Sequence, residues 1–256
     1  MAILSRALHS GSDEPEEPHD PGQMSLVEHL RELRRRVVIS LVAVAVGGVL
    51  GFTLYDPVID ILKEPYTDIT GRDSFIVFDP LEQFTTRFKV SAYIGLLVAS
   101  PVVLWQLWRF ITPGLYEKEK RYAVPFVLSS VLLFVGGSLL AFWTFPHTLE
   151  FFELIGGASL DANYTPGKYL GLLTTMMLVF GIGFEFPVVL TFLQIARVLT
   201  WRRLSQWRRY AIVSIFVAGA VITPSGDPVT LLALCVPICL LYEISILLGR
   251  FVITKR

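Results

Sequence analysis

The chain has 256 residues, of which 53% are hydrophobic and 17% charged, against about 25% charged in ordinary soluble domains, and its mean hydropathy is +0.59. This excludes a disordered chain and argues against a water-soluble globule. Two cysteines exclude a disulfide scaffold, and 22 basic against 22 acidic residues give no basic excess of the kind a nucleic-acid binder carries.

Residues 1–23 read as a disordered acidic tail, with Asp13, Glu14, Glu16, Glu17 and Asp20 interleaved with Pro15, Pro18 and Pro21. They show no cleavable signal pattern. From residue 24 the pattern changes. Leu26, Leu30, Leu33 and Val37 recur at helical spacing, with charge on the other faces. Ser25 precedes Glu28 at the spacing of a capping box. This predicts an amphipathic helix running into a first span. On the residues alone it reads as a surface-lying anchor with snorkelling arginines.

Six charge-poor runs follow, at residues 37–55, 90–108, 122–149, 169–196, 210–226 and 228–249, with Glu185 inside the fourth and Glu243 inside the sixth. Crossing the hydrocarbon takes about 20 mostly apolar residues. Backbone groups in lipid must bond internally, so each run is expected to be helical. Barrel strands would alternate, and these runs do not. The expected fold is an all-α membrane protein with six transmembrane helices over residues 24–250, followed by a short basic tail at 251–256.

Residues 56–81 read as a long outer loop. The second span is expected to start near Glu82 and to kink at Pro101. The third is expected to end at Pro146, with a second outer loop over 150–168. Residues 197–209 form a basic inner loop carrying Trp201 and Trp207. The last two spans read as short: Tyr210 to Ile222 is 13 residues, about 20 Å of helix. Such a pair either thins the bilayer or sits against other subunits, or its turn at 223–228 is buried among the outer loops.

With six spans, 17 of the 22 basic residues fall on the side of both termini and five on the other. The positive-inside rule then places both termini in the cytoplasm.

Glu185 lies mid-span, where an ionisable residue defaults to a functional role; the structural alternative is a protonated carboxyl bonded to backbone at the Pro187 kink. Glu243 is close enough to Arg250 for interfacial snorkelling. Asp227 suits a turn. The four histidines are scattered, Cys235 and Cys239 read as packing residues, and no nucleotide loop or nucleophile elbow is present. Neither an enzyme nor a metal or cofactor site is expected. An ion-coupled transporter with Glu185 as proton carrier and a pure scaffold stand as alternatives; the lack of visible internal repeats weakens the first.

Several motifs together resemble the TatC family, the core of the twin-arginine protein translocase. They are His29-Leu30-x-Glu32-Leu33-Arg34-x-Arg36; Asp79-Pro80-x-Glu82-x-Phe84 with Lys89 and Ala99-Ser100-Pro101; Gln106-x-Trp108-x-Phe110-x-x-Pro113-Gly114-Leu115 with Glu119-Lys120-Arg121; Phe184-Glu185-x-Pro187; Arg208-Arg209-Tyr210 with Thr223-Pro224; and Leu241-Tyr242-Glu243. The resemblance spans about Met24 to Arg250. It implies a concave plasma-membrane receptor for twin-arginine signal peptides. Such a receptor works with single-span TatA and TatB partners, self-associates in a multimeric complex in the bilayer, and exports folded proteins on the proton-motive force. It implies signal-peptide contacts at Glu32, Arg34, Phe110 and Glu119, and an intramembrane role for Glu185. Partner contacts at Asp227 and Glu243 follow less directly. Family members often read Thr-Pro-Pro-Asp with a downstream Ser-Gln in the last outer turn. This chain reads Thr223-Pro224-Ser225-Gly226-Asp227 and lacks the Gln.

Overall fold

The computed structural model describes residues 26–111, 123–157 and 164–253. Among them every regular element is helical. Five helices are long and apolar enough to cross a membrane.

Helix α1, Leu26–Thr53, is uninterrupted from its amphipathic start to its apolar end. It packs chiefly on α4, Pro80–Ile111. The two backbones approach closely through glycines: a Cβ on Gly47 would lie 2.5 Å from the Gly95 carbonyl oxygen. Small residues are what permit such contact between membrane helices. The rest of α1 faces outward, with Val49 69% exposed, as expected of a lipid-facing surface.

The outer segment at 56–81 is not simply a loop. It carries α2, Tyr55–Leu62, and α3, Glu64–Thr70. Burial explains the difference. Tyr66 is 1% exposed, packed on Phe75 and Tyr169, and Tyr169 Oη donates to the Leu62 carbonyl at 3.2 Å. The same segment is pinned to α4 by Arg87, whose guanidinium lies 4.7 Å from the ring centroids of both Phe52 and Tyr55. Burial pushes the Tyr55 phenol above its usual range, against the opposing pull of Arg87.

Helix α5, Ala123–Gly156, runs through Pro146 instead of ending there. A proline removes only one bond of the ladder, and in an apolar environment the helix remains the only way to satisfy the others. Phe145 and Leu149, both buried, keep the core face continuous across the proline. Helix α6, Pro166–Ile195, is central and packs on α4, on α5 and on α9, Pro228–Leu248.

The basic segment after α6 holds one short helix, α7, Trp201–Gln206, capped by the Thr200 hydroxyl. Helix α8, Arg208–Ile222, has 15 residues, about 22 Å of rise, and is short as expected. Helix α9, Pro228–Leu248, is not. Its 21 residues continue as a π-helical turn over Gly249–Ile253. The expectation of two short final spans is therefore corrected to one. Pro237 lies inside α9 without ending it. Glu243 is accommodated by an ion pair with Arg208 of α8, at 2.6 Å.

Candidate functional site

The first turns of α1 and the last turns of α4 meet at one rim. His29, Glu32 and Arg36 are spaced i, i+3 and i+7, which places them on one helical face. Gln106 and Phe110 are i and i+4 on α4. The His29 and Phe110 rings stack at 4.4 Å between centroids. Arg36 is ion-paired with Glu32, its Nε donating to Glu32 Oε1 at 3.1 Å. Arg36 Nη1 donates to Gln106 Oε1 at 3.3 Å. Arg36 thus bridges the two helices. The other Glu32 oxygen, Oε2, is buried and has no hydrogen-bond partner among the described residues. A buried carboxylate oxygen left in this state is an unused acceptor for a cationic donor.

The end of α4 is fixed from below. Trp108 is 4% exposed and packs on Phe126 and Phe192. Its Nε1 donates to Ser130 Oγ of α5 at 3.0 Å. Ser130 is also the hydroxyl beside the Glu185 carboxyl of α6. Glu185 Oε1 is buried and has no hydrogen-bond partner among the described residues. Ser130 thus stands between the last turns of α4, which it holds through Trp108, and the intramembrane carboxyl.

The other expected site residues fall as follows. Arg34 is exposed and about 200° around the helix from Glu32, so it does not join the cluster. Glu119 lies outside the described residues. Asp227 is 3% exposed and caps α9, its Oδ1 accepting from the Thr230 amide at 2.7 Å. Glu243 is half-exposed, bound by both Arg208 Nε and Nη2. Ser130 is not singled out by the sequence, and Gln106 enters there only as the first residue of the Gln106-x-Trp108-x-Phe110 motif, without a site role. The available signal was a polar side chain inside or bordering a charge-free run, where lipid would disfavour it.

The family model described as Sec-independent protein translocase protein (TatC) matches residues 28–237. The chain belongs to the TatC family. The Aquifex aeolicus TatC is 41% identical over 236 residues, covering 91% of this chain and 98% of the relative. The Frankia casuarinae TatC is 39% identical over 242 residues, covering 90% of this chain and 66% of that relative. A crystal structure of a twin arginine translocase receptor, TatC, in DDM superposes with a TM-score of 0.75 at 40% identity, covering 87% of this chain and 99% of that one. A second TatC receptor crystal structure gives 0.73 at 40% identity, covering 90% of this chain and 100% of the other. As a TatC protein, the chain is a multi-pass membrane component of the Sec-independent Tat translocase.

Proposed function

We propose that this TatC protein is the subunit that reads twin-arginine signal peptides, and that the α1/α4 rim does the reading. The observation that supports it is the Glu32 carboxylate. One oxygen is engaged by Arg36 and the other is a buried acceptor without a partner among the described residues. A guanidinium is best read by a carboxylate, through charge-assisted and often bidentate bonds that an ammonium does not reproduce. The Phe110 ring, held by His29 at 4.4 Å, adds a π-face of the kind that a guanidinium stacks on.

In this mechanism the first signal arginine takes Glu32 Oε2, and Glu119, a few residues beyond the end of α4 in the sequence, takes the second. The apolar stretch of the signal then enters the membrane alongside the bundle, as a helix laid into a groove, at the depth of Glu185. Single-span TatA- and TatB-type partners assemble around several copies of the chain, and the proton-motive force drives export of the folded cargo. The arginine distribution supports six spans with both termini in the cytoplasm of a bacterial plasma membrane. α8, the fifth span in chain order, is the one below the usual crossing length, and it marks a thinned region.

The test is photocrosslinking of a signal peptide in membranes, with the probe beside the arginine pair. Labelling of the α1/α4 rim that falls with Lys-Lys in place of Arg-Arg, and with Glu32→Gln, supports this function. Equal labelling in all cases removes the recognition role.

A further inference from the structure

We propose that the cleft between α6, α7 and α8 is a binding site for one anionic phospholipid, its phosphate held by Arg209 and one acyl chain lying along α8. The cleft is an apolar cavity of about 400 Å³ whose walls include Phe186, Leu190, Trp207, Tyr210 and Ala211. It shares Phe186, Ala211 and Ser214 with a second apolar groove of about 350 Å³ that continues to Ile222. The two form one track along α8 from Tyr210 to Ile222, about 18 Å of helix. That is close to half the thickness of the hydrocarbon core, the depth one acyl chain spans. The walls are open to the surroundings, with Phe186 42% and Ile222 56% exposed.

The mouth of the cleft is built for an anion. Arg209 Nη2 donates to Tyr210 Oη at 2.9 Å, and its guanidinium lies 4.7 Å from the Tyr210 ring centroid. The aromatic side chain that walls the cleft therefore holds the cation at its entrance. Between residues 197 and 253 the chain has six arginines and two acids. Of the acids, Asp227 caps the opposite end of the helix pair and Glu243 is bound by Arg208. The stretch therefore keeps a basic excess, of which Arg209 is the residue held against the cleft wall. Exposed Trp207 and Tyr210 are the residue types that settle at headgroup level. The shortness of α8 adds a reason for the site. A span of 15 residues leaves a hydrophobic mismatch, and a lipid drawn inward fills it.

The experiment is native mass spectrometry of the full-length protein in detergent, with added phosphatidylglycerol, phosphatidylcholine or inorganic phosphate. Phosphatidylglycerol is expected to remain bound at higher collision energy than phosphatidylcholine. Arg209→Gln is expected to lower its retention about fivefold, the factor for one basic residue near an anionic surface. Ser214→Trp, which fills the track and leaves Arg209 in place, is expected to lower it as well, whereas Arg31→Gln on α1 leaves it unchanged. Equal retention of the two lipids, no effect of Arg209→Gln, or displacement of the lipid by inorganic phosphate overturns the proposal. A photoreactive residue at position 214 in native membranes gives an independent readout. A lipid-mass adduct supports the site, and an adduct to a protein partner or to a second copy overturns it.

Discussion

The Gly167 amide donates to Glu82 Oε1 at 3.0 Å, which joins the first turn of α6 to the first turn of α4 at one end of the bundle. Pro166 precedes it without an N–H to offer, so this is among the first free amides of α6. The carboxylate also sits at the positive end of the α6 dipole.

Glu82→Ala is therefore expected to destabilise the protein by about 1–2 kcal/mol, the usual worth of a charged cap. Gly167→Ala should cost a comparable amount, because its Cβ would lie 2.6 Å from the same oxygen and displace it. Since both changes remove one contact, the double variant should cost about as much as either alone. Thermal unfolding of the detergent-purified protein, followed as a double-mutant cycle, reads this directly. Additive losses would mean that the two residues act separately.

The α1/α4 seam makes a sharper prediction. A Cβ on Gly95 would run into the backbone of Gly47 and Gly48, which cannot step aside as a side chain can. Because α1 packs chiefly on α4, Gly95→Ala should part the two helices at a cost of about 1–3 kcal/mol, the range for overpacking. Gly48→Ala provides the contrast. Its Cβ meets nothing within 4 Å, so the change should be neutral or gain up to about 1 kcal/mol from helix propensity. Cysteine crosslinking between α1 and α4, together with melting temperature, distinguishes the two. Equal effects would show that the seam is not glycine-dependent.

What the sequence made legible follows from the physics of lipid. The charge-free runs are visible because hydrocarbon excludes charge, and the helices are visible because hydrocarbon excludes open backbone. The errors lie where soluble-protein punctuation was applied. Pro146 reads as a stop by a rule that holds in water, yet it lies inside α5. Helices α2 and α3 are short, and what holds them is burial of Leu62 and Tyr66 against residues about a hundred positions away. No local pattern carries that. At the rim, the Glu32–Arg36 pair is an i,i+4 spacing that a helix makes inevitable. The arrival of Gln106 and Phe110 beside it depends on the α1/α4 crossing, which rests on Gly47 and Gly95 and leaves no periodic trace. Asp227 and Glu243 were legible as polar groups near span ends; Asp227 caps α9 locally through the Thr230 amide, whereas Arg208, the partner of Glu243, emerges only from the packing of α8 on α9.

The rim itself is testable in parts. Glu32→Gln keeps the shape of the side chain and removes its charge. It is expected to reduce crosslinking of an Arg-Arg signal at least about tenfold, the worth of a charge-assisted bond. Gln106→Ala leaves the carboxylate in place but frees Arg36 from α4. It should weaken crosslinking only a few-fold, with the melting temperature near that of the parent. An equal loss for both variants would make Arg36, rather than Glu32, the group that the signal needs.

The far end of α9 carries the last prediction. Gln194, 3% exposed on α6, donates from Nε2 to the Ser245 carbonyl at 2.9 Å. That carbonyl also receives the Gly249 amide. A side chain inserted into the ladder in this way is a recognised cause of a π-turn, and the π-turn begins at Gly249. Gly249 has no room for a Cβ, because the atom would collide with Gln194 Oε1 and press on Trp201. Gly249→Ala should therefore destabilise the protein by about 1–3 kcal/mol. Gln194→Ser alone should cost about 1 kcal/mol for the lost bond, but it opens the space a Cβ at 249 requires. The combined variant is then expected to be more stable than Gly249→Ala by itself. Melting temperatures of the three variants give the sign of the coupling. If Gln194→Ser worsens Gly249→Ala instead of relieving it, the π-turn does not arise from the contact between these two residues.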